Sequence, residues 1–366
     1  MPNKASVADI EPHLSGAAWT ERVTLTIFST AEGNRSVGRY AHELAESLAP
    51  FAETRIAEPA VRGAFLSKAA DKLRFLRQAK SLAGDANVIV SVGYAFLLLA
   101  LDGERTVCVC HDLHPLMFPG RNWRERLLFR INLRLLNRAR AVVAVSEHTR
   151  QQLLRYAPWL QPQRIVTIHN GLHPRWRTVT DASRLEDFRR LHGLESGNFI
   201  LHVGNDNWYK NFSALLRAFV AIEDRTLILV KVGRLRPDEQ RRIAHLKIED
   251  RVILLHALTD EELVLLYNCA EMLVFPSLHE GFGWPLLEAM ACGCPVIAGD
   301  RASLLEVCGE AALYVNPEKP SEIATAITRL RSNPQLRRQL KDKGVEQAGK
   351  YDWKRTAESI LELFET

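Results

Sequence analysis

The sequence predicts an α/β protein made of two doubly wound domains, and three observations support this prediction. Short apolar runs alternate with segments of helical period through most of the chain. The runs are apolar at successive positions, as in parallel strands that helices cover on both faces. The length of 366 residues, with 47% hydrophobic and 25% charged residues, suits two globular domains, since a domain takes about 150 residues.

The predicted strands form one set in each half of the chain. They are residues 23–28, 88–92, 106–110, 141–145 and 165–168, then 199–203, 227–232, 252–255, 272–275, 295–298 and 313–315. Turn-forming residues and Pro174 interrupt the alternation between Asn170 and Thr180, so we place the domain boundary there. The predicted units are an N-terminal domain (1–178), a C-terminal domain (179–348) and a terminal helix (349–366) that packs back on the first domain.

Composition and patterning exclude several classes of protein. No apolar run reaches the roughly 18 residues of a membrane-spanning helix, and residues 1–20 lack the apolar segment of a signal peptide. The six cysteines lack the spacing of a zinc site, and we interpret them as reduced thiols. We therefore expect a cytoplasmic protein, and leave open a peripheral position on the inner face of a membrane.

The positive charge is concentrated in the first half of the chain. Residues 1–180 contain 24 Lys and Arg against 15 Asp and Glu, a net +9, whereas the rest carries −4. One predicted helix has arginines four residues apart, which forms a stripe on one face, at Arg126, Arg130, Arg134 and Arg138. Two interpretations stay open: a solvated face of a helix that covers the sheet, or contact with an anionic membrane surface. No aromatic-interleaved basic groove accompanies the stripe, so we predict no nucleic-acid partner.

The loop after the predicted strand 272–275 carries the strongest chemical signal. Its sequence EGFGWPLLE places Glu280 in the loop and Glu288 inside the following helix. Gly281 and Gly283 let a ligand approach the backbone and leave N–H groups available near a helix start, which favours anions. Two carboxylates that repel each other are a poor structural device at such a place. We therefore predict a binding or catalytic site here.

This setting, with seven residues between the glutamates, resembles the signature of retaining family 4 glycosyltransferases of the GT-B fold. Further motifs of that family follow in the expected order over most of the chain: Val37-Gly38-Arg39-Tyr40, Cys110-His111-Asp112, Val145-Ser146, Asn170-Gly171, Val203-Gly204 to Lys210-Asn211, and Tyr351-Asp352-Trp353. The resemblance implies two Rossmann-like domains whose parallel sheets face each other across a cleft. It also implies that the second domain holds a nucleotide sugar and the first holds the acceptor.

The resemblance assigns a role to each acid. Glu288 would bind the ribose hydroxyls of the nucleotide, and Glu280 would contact the donor sugar near its reacting carbon. A carboxylate there would stabilise an oxocarbenium-like centre. A same-face substitution through a short-lived ion pair and a double displacement through Glu280 both stay open. The donor-binding candidates beside these acids are Gly281, Phe282 and Gly283.

The loop after strand 199–203 is the predicted diphosphate site. Lys210 lies near a helix N-terminus, where a point charge can stabilise the leaving group. The family usually has an arginine directly after the glycine of this loop, and here Asn205 takes that place. The site therefore lacks one positive charge, which Arg234 after the next strand would supply.

The acceptor side is predicted from two loops of the first domain. The resemblance implies that His111 contacts the donor sugar and that Asp112 orients it or touches the acceptor. The loop 30–38 would face the diphosphate and the acceptor, with Gly33, Arg35 and Gly38 as its site residues. No Asp-x-Asp motif occurs in the chain, so we expect no required metal and no other cofactor.

These residues predict a retaining glycosyltransferase that uses a nucleotide-diphosphate sugar. The EGFGWP loop and the basic helix favour GDP-mannose as the donor and a glycan or lipid-linked oligosaccharide as the acceptor, in polysaccharide biosynthesis. Two alternatives stay open. One is an inverting enzyme or epimerase on the same fold. The other is a non-catalytic nucleotide-sugar-binding partner, which the absence of an arginine at Asn205 makes plausible.

Overall fold

The protein contains two six-stranded sheets, one in each half of the chain. The structure, a computed structural model, describes residues 23–29, 36–59, 65–118, 123–195 and 197–365. The first sheet comprises β1 (Thr24–Phe28), β2 (Glu53–Ala57), β3 (Ala86–Ile89), β4 (Thr106–Cys110), β5 (Ala141–Ala144) and β6 (Ile165–Thr167). The second comprises β7 (Phe199–Val203), β8 (Ile228–Val232), β9 (Val252–Leu255), β10 (Met272–Phe275), β11 (Val296–Gly299) and β12 (Ala312–Val315). Every pairing between strands in these sheets is parallel, which confirms the predicted class.

Helices connect the strands and cover both sheets. In the N-terminal half they are α1 (Ser36–Leu48), α2 (Phe65–Leu82), α3 (His114–Met117), α4 (Trp123–Leu135) and α5 (Glu147–Tyr156). In the C-terminal half they are α6 (Ala182–Leu191), α7 (Phe212–Val220), α8 (Pro237–Leu246), α9 (Asp260–Cys269), α10 (Trp284–Ala291), α11 (Ser303–Cys308), α12 (Pro320–Ser332), α13 (Pro334–Ala348) and α14 (Trp353–Glu365). Among the described residues, no helix is both long and apolar enough to span a bilayer.

Both faces of the central strands are buried, as their apolar runs predict, whereas the edge strands β2 and β9 are partly exposed. Val107 and Val109 of β4 belong to the cluster that includes α1 and α14, whereas Cys108 and Cys110 pack on the opposite face. The two cysteines are buried free thiols. Because successive side chains of a strand point to opposite faces, this burial requires an apolar residue at every position.

The strand order creates one switch point in each sheet. The orders are β2-β1-β3-β4-β5-β6 and β12-β11-β10-β7-β8-β9. In the second sheet the chain runs outward from β7 in one direction and from β10 in the other. Ligands of such sheets bind beyond the carboxyl ends of the strands at this crevice. The loops after β7 and β10, which contain Lys210 and Glu280, therefore meet where a ligand is expected.

The terminal helix α14 contacts the N-terminal half of the chain. The Thr356 hydroxyl donates to the carbonyl oxygen of His169 at 2.8 Å, and the ring of Trp353 meets that of Tyr40 on α1, centroid to centroid, at 5.2 Å. Gly171 allows this packing, since a Cβ there would lie 2.3 Å from the Trp353 nitrogen. The chain thus crosses from the second domain back to the first.

Two sequence predictions about local structure are wrong. The predicted loop 30–38 ends earlier, because α1 begins at Ser36 and Gly38 is buried in its first turn. Packing of that buried face offsets the low helix propensity of glycine. The predicted arginine stripe is also shorter, because α4 ends at Leu135 and Arg138 lies in a separate 3₁₀ turn. There the Ala139 N–H bonds to the Leu136 carbonyl, which tightens the chain before β5.

Candidate active site

The loops after β7 and β10 are joined by a nearly buried ion pair. Lys210 Nζ lies 2.8 Å from Glu280 Oε1, and the two side chains are 14% and 11% exposed. Asn211, in the left-handed region at φ 58°, donates from Nδ2 to the Pro276 carbonyl at 3.1 Å and so ties the loops together. Both charges therefore lie preformed at the switch point of the second sheet.

Glu288 lies in the first part of α10 and joins the two domains. Its Oε1 is 2.6 Å from Arg39 Nη1 on α1, and its Oε2 accepts a hydrogen bond from Tyr267 at 3.0 Å. Arg39 also bonds Glu43 at 3.0 Å. Burial alone would lower the pKa of Arg39, but the charges and hydrogen bonds of Glu288 and Glu43 raise it well above its ordinary value. Both oxygens of Glu288 are thus already engaged by protein donors.

Arg39 is a site residue that sequence reasoning missed. Its guanidinium lies 5.1 Å from the ring centroids of both Trp176 and Trp284, so two aromatic faces enclose it. Arg39 does occur in the motif with Gly38 and Tyr40, but nothing in that motif indicated a partner some 250 residues away. The arginine links the N-terminal domain directly to the second glutamate of the signature.

The backbones of the two domains are in close contact at Gly281. A Cβ at this position would lie 1.8 Å from the His111 carbonyl oxygen, so any side chain here would clash with the opposite domain. The carbonyl of Gly281 accepts hydrogen bonds from the hydroxyls of Ser146 at 2.7 Å and Thr149 at 3.3 Å. Both hydroxyls belong to the start of α5 in the N-terminal domain. The glycine is required by this contact rather than by an unusual φ.

Glu306 forms a second link between the domains. Its carboxylate accepts from the backbone N–H groups of Glu147 at 2.8 Å and His148 at 3.2 Å, the first residues of α5. His169 Nε2 lies 2.6 Å from the same group. Burial raises the pKa of Glu306, but these hydrogen bonds outweigh it and lower the pKa. A carboxylate from α11 thus caps a helix of the other domain, which the helix dipole favours.

His111 and Asp112 lie at the carboxyl end of β4, as predicted. His111 Nε2 lies 3.0 Å from the Val90 carbonyl, which can only accept, so the proton is on Nε2. Burial lowers the pKa of His111 to about 4, which keeps the ring neutral at neutral pH. Asp112 Oδ1 accepts from the His114 N–H at 2.9 Å and so shapes the loop rather than contacting the His111 ring.

The predicted diphosphate site contains a cation that was not predicted there. Asn205 and Arg234 are both exposed, and no hydrogen bond or ion pair of Arg234 is seen within the described ranges. Beneath them, Lys231 of β8 is 1% exposed and donates from Nζ to the carbonyls of Gly204 and Val232. Burial lowers the pKa of Lys231 to about 8. A lysine within the apolar strand ILVKV was the sequence signal for it.

The remaining predicted site residues are Phe282, Gly283, Gly33 and Arg35. The Phe282 ring is buried against His169 and Tyr351. Its side chain is therefore not accessible to a ligand, which leaves only its backbone for a binding role. Gly283 precedes α10 at φ 106°, a conformation that favours glycine. The predicted site residues Gly33 and Arg35 lie outside the described residues. Within the described ranges, no group of three or more His, Cys, Asp or Glu side chains is placed to share a metal ion.

Two family models match successive parts of the chain. Residues 22–176 match Glycosyltransferase Family 4, and residues 184–347 match Glycosyl transferases group 1. The two matches are separated by residues 177–183. Together they include all twelve strands and nearly all of the residues discussed above.

Two similar proteins are named as mannosyltransferases. The serotype-specific mannosyltransferase WbdA of Escherichia coli is 30% identical over 274 residues, which are 71% of this chain and 33% of WbdA. The O-antigen chain mannosyltransferase RfbU of Salmonella typhimurium is 29% identical over 234 residues, 63% of this chain and 62% of RfbU. The matched region thus spans about a third of WbdA and less than two thirds of RfbU.

Solved structures with the same architecture cover nearly the whole chain. HepE of Anabaena, in complex with UDP and glucose, has a TM-score of 0.78 at 17% identity, over 94% of this chain and 100% of HepE. WaaG, a glycosyltransferase involved in lipopolysaccharide biosynthesis, has a TM-score of 0.74 at 14% identity, over 93% and 99%. These likenesses confirm the predicted GT-B fold. The two family models, which together match residues 22–176 and 184–347, show that the chain belongs to the glycosyltransferases, with a family 4 domain followed by a group 1 domain.

Proposed function

We propose that the protein is a retaining glycosyltransferase that moves mannose from GDP-mannose to a glycan or lipid-linked oligosaccharide acceptor in polysaccharide biosynthesis. The ion pair of Lys210 and Glu280 carries the proposal, because it places opposite charges where a diphosphate and a developing sugar cation would separate. The names of WbdA and RfbU support mannose as the sugar and a polysaccharide as the product.

The proposed reaction is a same-face substitution at the anomeric carbon. The bond from that carbon to the diphosphate oxygen breaks, and a bond to the acceptor hydroxyl oxygen forms. The hydroxyl proton passes to the departing diphosphate oxygen. Lys210 and the buried charge of Lys231 stabilise the diphosphate, while Glu280 stabilises the positive charge on the sugar.

In this proposal Glu288 binds the ribose diol while Arg39 and Tyr267 hold its carboxylate. A carboxylate has about four lone-pair sites. Arg39 and Tyr267 use one on each oxygen, which leaves one on each oxygen for a diol. The carboxylate is therefore oriented before the donor arrives, and the orienting arginine comes from the other domain. Donor binding then draws on both domains.

Transfer from a panel of nucleotide sugars tests the proposed function. The purified protein is incubated with mannotriose and with GDP-mannose, UDP-glucose or UDP-galactose, and the anomeric configuration of the product is read by proton NMR. We expect GDP-mannose to be preferred and the product to be α-linked. A β-linked product would establish an inverting enzyme, and a change in the sugar without transfer would establish an epimerase. Donor binding without turnover would favour the non-catalytic partner.

Transfer should be independent of added metal ions. The proposed diphosphate site consists of backbone N–H groups, Lys210 and Lys231, so no bridging cation is needed. We expect the initial rate in excess EDTA to stay within about twofold of the untreated rate, because protein side chains already supply the positive charge that a metal ion would add. Complete loss in EDTA, restored by magnesium or manganese, would contradict this assignment.

We also propose that α4 docks on an anionic membrane surface. Four large apolar side chains of α4 are exposed: Trp123 at 67%, Leu127 at 49%, Leu128 at 59% and Ile131 at 48%. Arg130 and Arg134 are exposed on the same helix, while Asn132 and Leu133 form its buried face. An exposed helix face that combines apolar and basic side chains suits the boundary between lipid headgroups and acyl chains.

Vesicle binding by an arginine-depleted variant tests this surface. Each basic residue near an anionic surface contributes about 1 kcal/mol, so changing Arg126, Arg130, Arg134 and Arg138 to glutamine should strongly weaken binding to phosphatidylserine-rich vesicles. A control with the same charge change replaces exposed arginines elsewhere, at Arg55, Arg74, Arg105 and Arg177. We expect the control to bind like the parent. Equal loss in both variants, or no binding by the parent at low salt, would contradict the proposal.

A further inference from the structure

A group of six rings spans the interface between the domains beside the Lys210–Glu280 pair and has no role in the reaction as proposed. We call this group the aromatic cluster: His114, Phe118 and His148 from the N-terminal domain, and Trp208, Tyr209 and His279 from the C-terminal domain. Its members meet across the interface, with 4.7 Å between the centroids of Phe118 and Trp208. The centroids of His114 and Tyr209 are 4.6 Å apart.

The aromatic cluster adjoins both members of the ion pair. Tyr209 directly precedes Lys210, and His279 directly precedes Glu280. The loops are also bonded to each other here, since the Leu278 N–H donates to the Tyr209 carbonyl at 2.8 Å. On the other side of the interface, the cluster begins two residues after Asp112. Whatever binds against these rings therefore lies next to the reacting centre, on the side that includes the N-terminal domain.

Two of the rings carry polar atoms that lack protein partners. His279 is only 5% exposed, and its Nε2 has no hydrogen-bond partner among the described residues; the same holds for Nε2 of His148. The two ring centroids are 5.7 Å apart. Burial lowers the pKa of both imidazoles, so they are uncharged at neutral pH. Buried polar atoms are nearly always satisfied, and a ligand hydroxyl would satisfy these.

Trp208 is the exposed member of the aromatic cluster. It is 42% exposed, although an indole of this size is normally well covered, and its edge meets the Phe118 ring at 84°. A role confined to packing the domains together would bury this ring. An exposed indole that contacts the same Phe118 ring as His279 instead combines an apolar surface with nearby hydrogen-bonding groups, as binding sites for small polar ligands do.

We propose that the aromatic cluster is the acceptor subsite, in which the exposed ring of Trp208, held edge-on by Phe118, stacks on the apolar face of a hexopyranose and His148 and His279 bond its hydroxyls. This proposal rests on the proposed function, because it takes the reacting centre to be at Glu280. It deepens that function by assigning the acceptor a sugar ring at its reacting end, whatever lies further along the acceptor chain. The lipid-facing surface of α4 is not needed for this contact.

The subsite is tested by separating acceptor binding from donor chemistry in one variant. We expect Trp208→Ala to raise the KM for mannotriose at least about tenfold, since the variant loses the large apolar surface on which the sugar ring stacks. The KM for the donor and its slow hydrolysis by water should stay within about twofold, because water needs no stacking. Trp208→Phe, which keeps a ring, should recover most of the affinity for mannotriose.

A second tryptophan provides the matched control. Trp123→Ala removes another exposed indole, from α4, and should leave the KM for mannotriose unchanged. An unchanged KM in Trp208→Ala, or an equal rise in Trp123→Ala, would overturn the subsite. Saturation-transfer NMR with mannotriose tests binding without turnover. A saturation-transfer signal that the wild type shows and Trp208→Ala loses would support the subsite, even if no donor is turned over. Absence of donor turnover would contradict the proposed function but not the subsite.

Discussion

Replacing Gly281 by alanine should nearly abolish sugar transfer. The new Cβ would lie 1.8 Å from the His111 carbonyl oxygen, and that oxygen is backbone, which cannot rotate away. The domains must then separate by more than an ångström at the point where Ser146 and Thr149 now bond the Gly281 carbonyl. Since a misplacement of 1 Å can cost about a hundredfold in rate, we expect kcat to fall by at least that factor.

The matched control is Gly349→Ala, which adds the same methyl group away from the interface. Gly349 has ordinary helical φ and ψ, and its nearest neighbour would be the Glu346 carbonyl at 3.4 Å. We expect this control to retain wild-type turnover. Small-angle scattering should show a larger radius of gyration for Gly281→Ala but not for the control. Wild-type activity in Gly281→Ala would mean that the contact between Gly281 and His111 is not part of the active conformation.

The fold could be predicted because its strands are buried on both faces. Runs such as 106–110, 199–203 and 272–275 coincide with β4, β7 and β10, since a strand covered on both sides is apolar at most of its positions. The exception is β2, which the sequence analysis missed. It lies at the edge of the first sheet, and of its residues ETRIA only Ala57 is buried. An edge strand half open to solvent does not need the apolar pattern on which the prediction depended.

The site residues could be predicted only where they lie in a loop whose own sequence indicates their role. Glu280, Lys210 and His111 each follow a strand, and parallel topology brings such loops to the same edge of a sheet. The structure adds Arg39 and Glu306, and their partners lie in the other domain. Arg39 meets Glu288 across 249 positions of sequence, and Glu306 caps α5 across about 160. Such pairs arise from the way the domains dock, which local spacing does not encode.

The basic helix illustrates a different limit. The four-residue spacing of its arginines is that of one helical face, but it does not reveal which apolar side chains that helix buries. The structure leaves Leu127 and Ile131 about half exposed and buries Asn132 and Leu133 instead. Contacts with the 3₁₀ segment Val92–Leu99 decide the orientation of α4, and those contacts are non-local.

Replacing Lys210 by alanine should lower kcat by about a hundredfold to a thousandfold, the cost typical of removing one group that stabilises a developing negative charge. The same change leaves Glu280 nearly buried without its partner, so some loss of folding stability is expected as well. Lys210→Arg keeps the charge and should retain more activity than Lys210→Ala. Melting temperatures of both variants show how much protein is folded in each assay.

Ligands that differ only in their phosphates show whether Lys210 contacts the leaving group or has only a structural role. If Lys210 contacts the diphosphate, Lys210→Ala should weaken binding of GDP by about tenfold or more, as loss of a charged hydrogen bond predicts, and leave guanosine unaffected. Glu288→Gln is the matched variant, because a ribose contact is shared by GDP and guanosine and should weaken both equally. An equal loss for the two ligands in Lys210→Ala would show that the lysine acts only by holding Glu280. The charge on the diphosphate would then be balanced by Lys231 within β8 and Arg234 just after that strand.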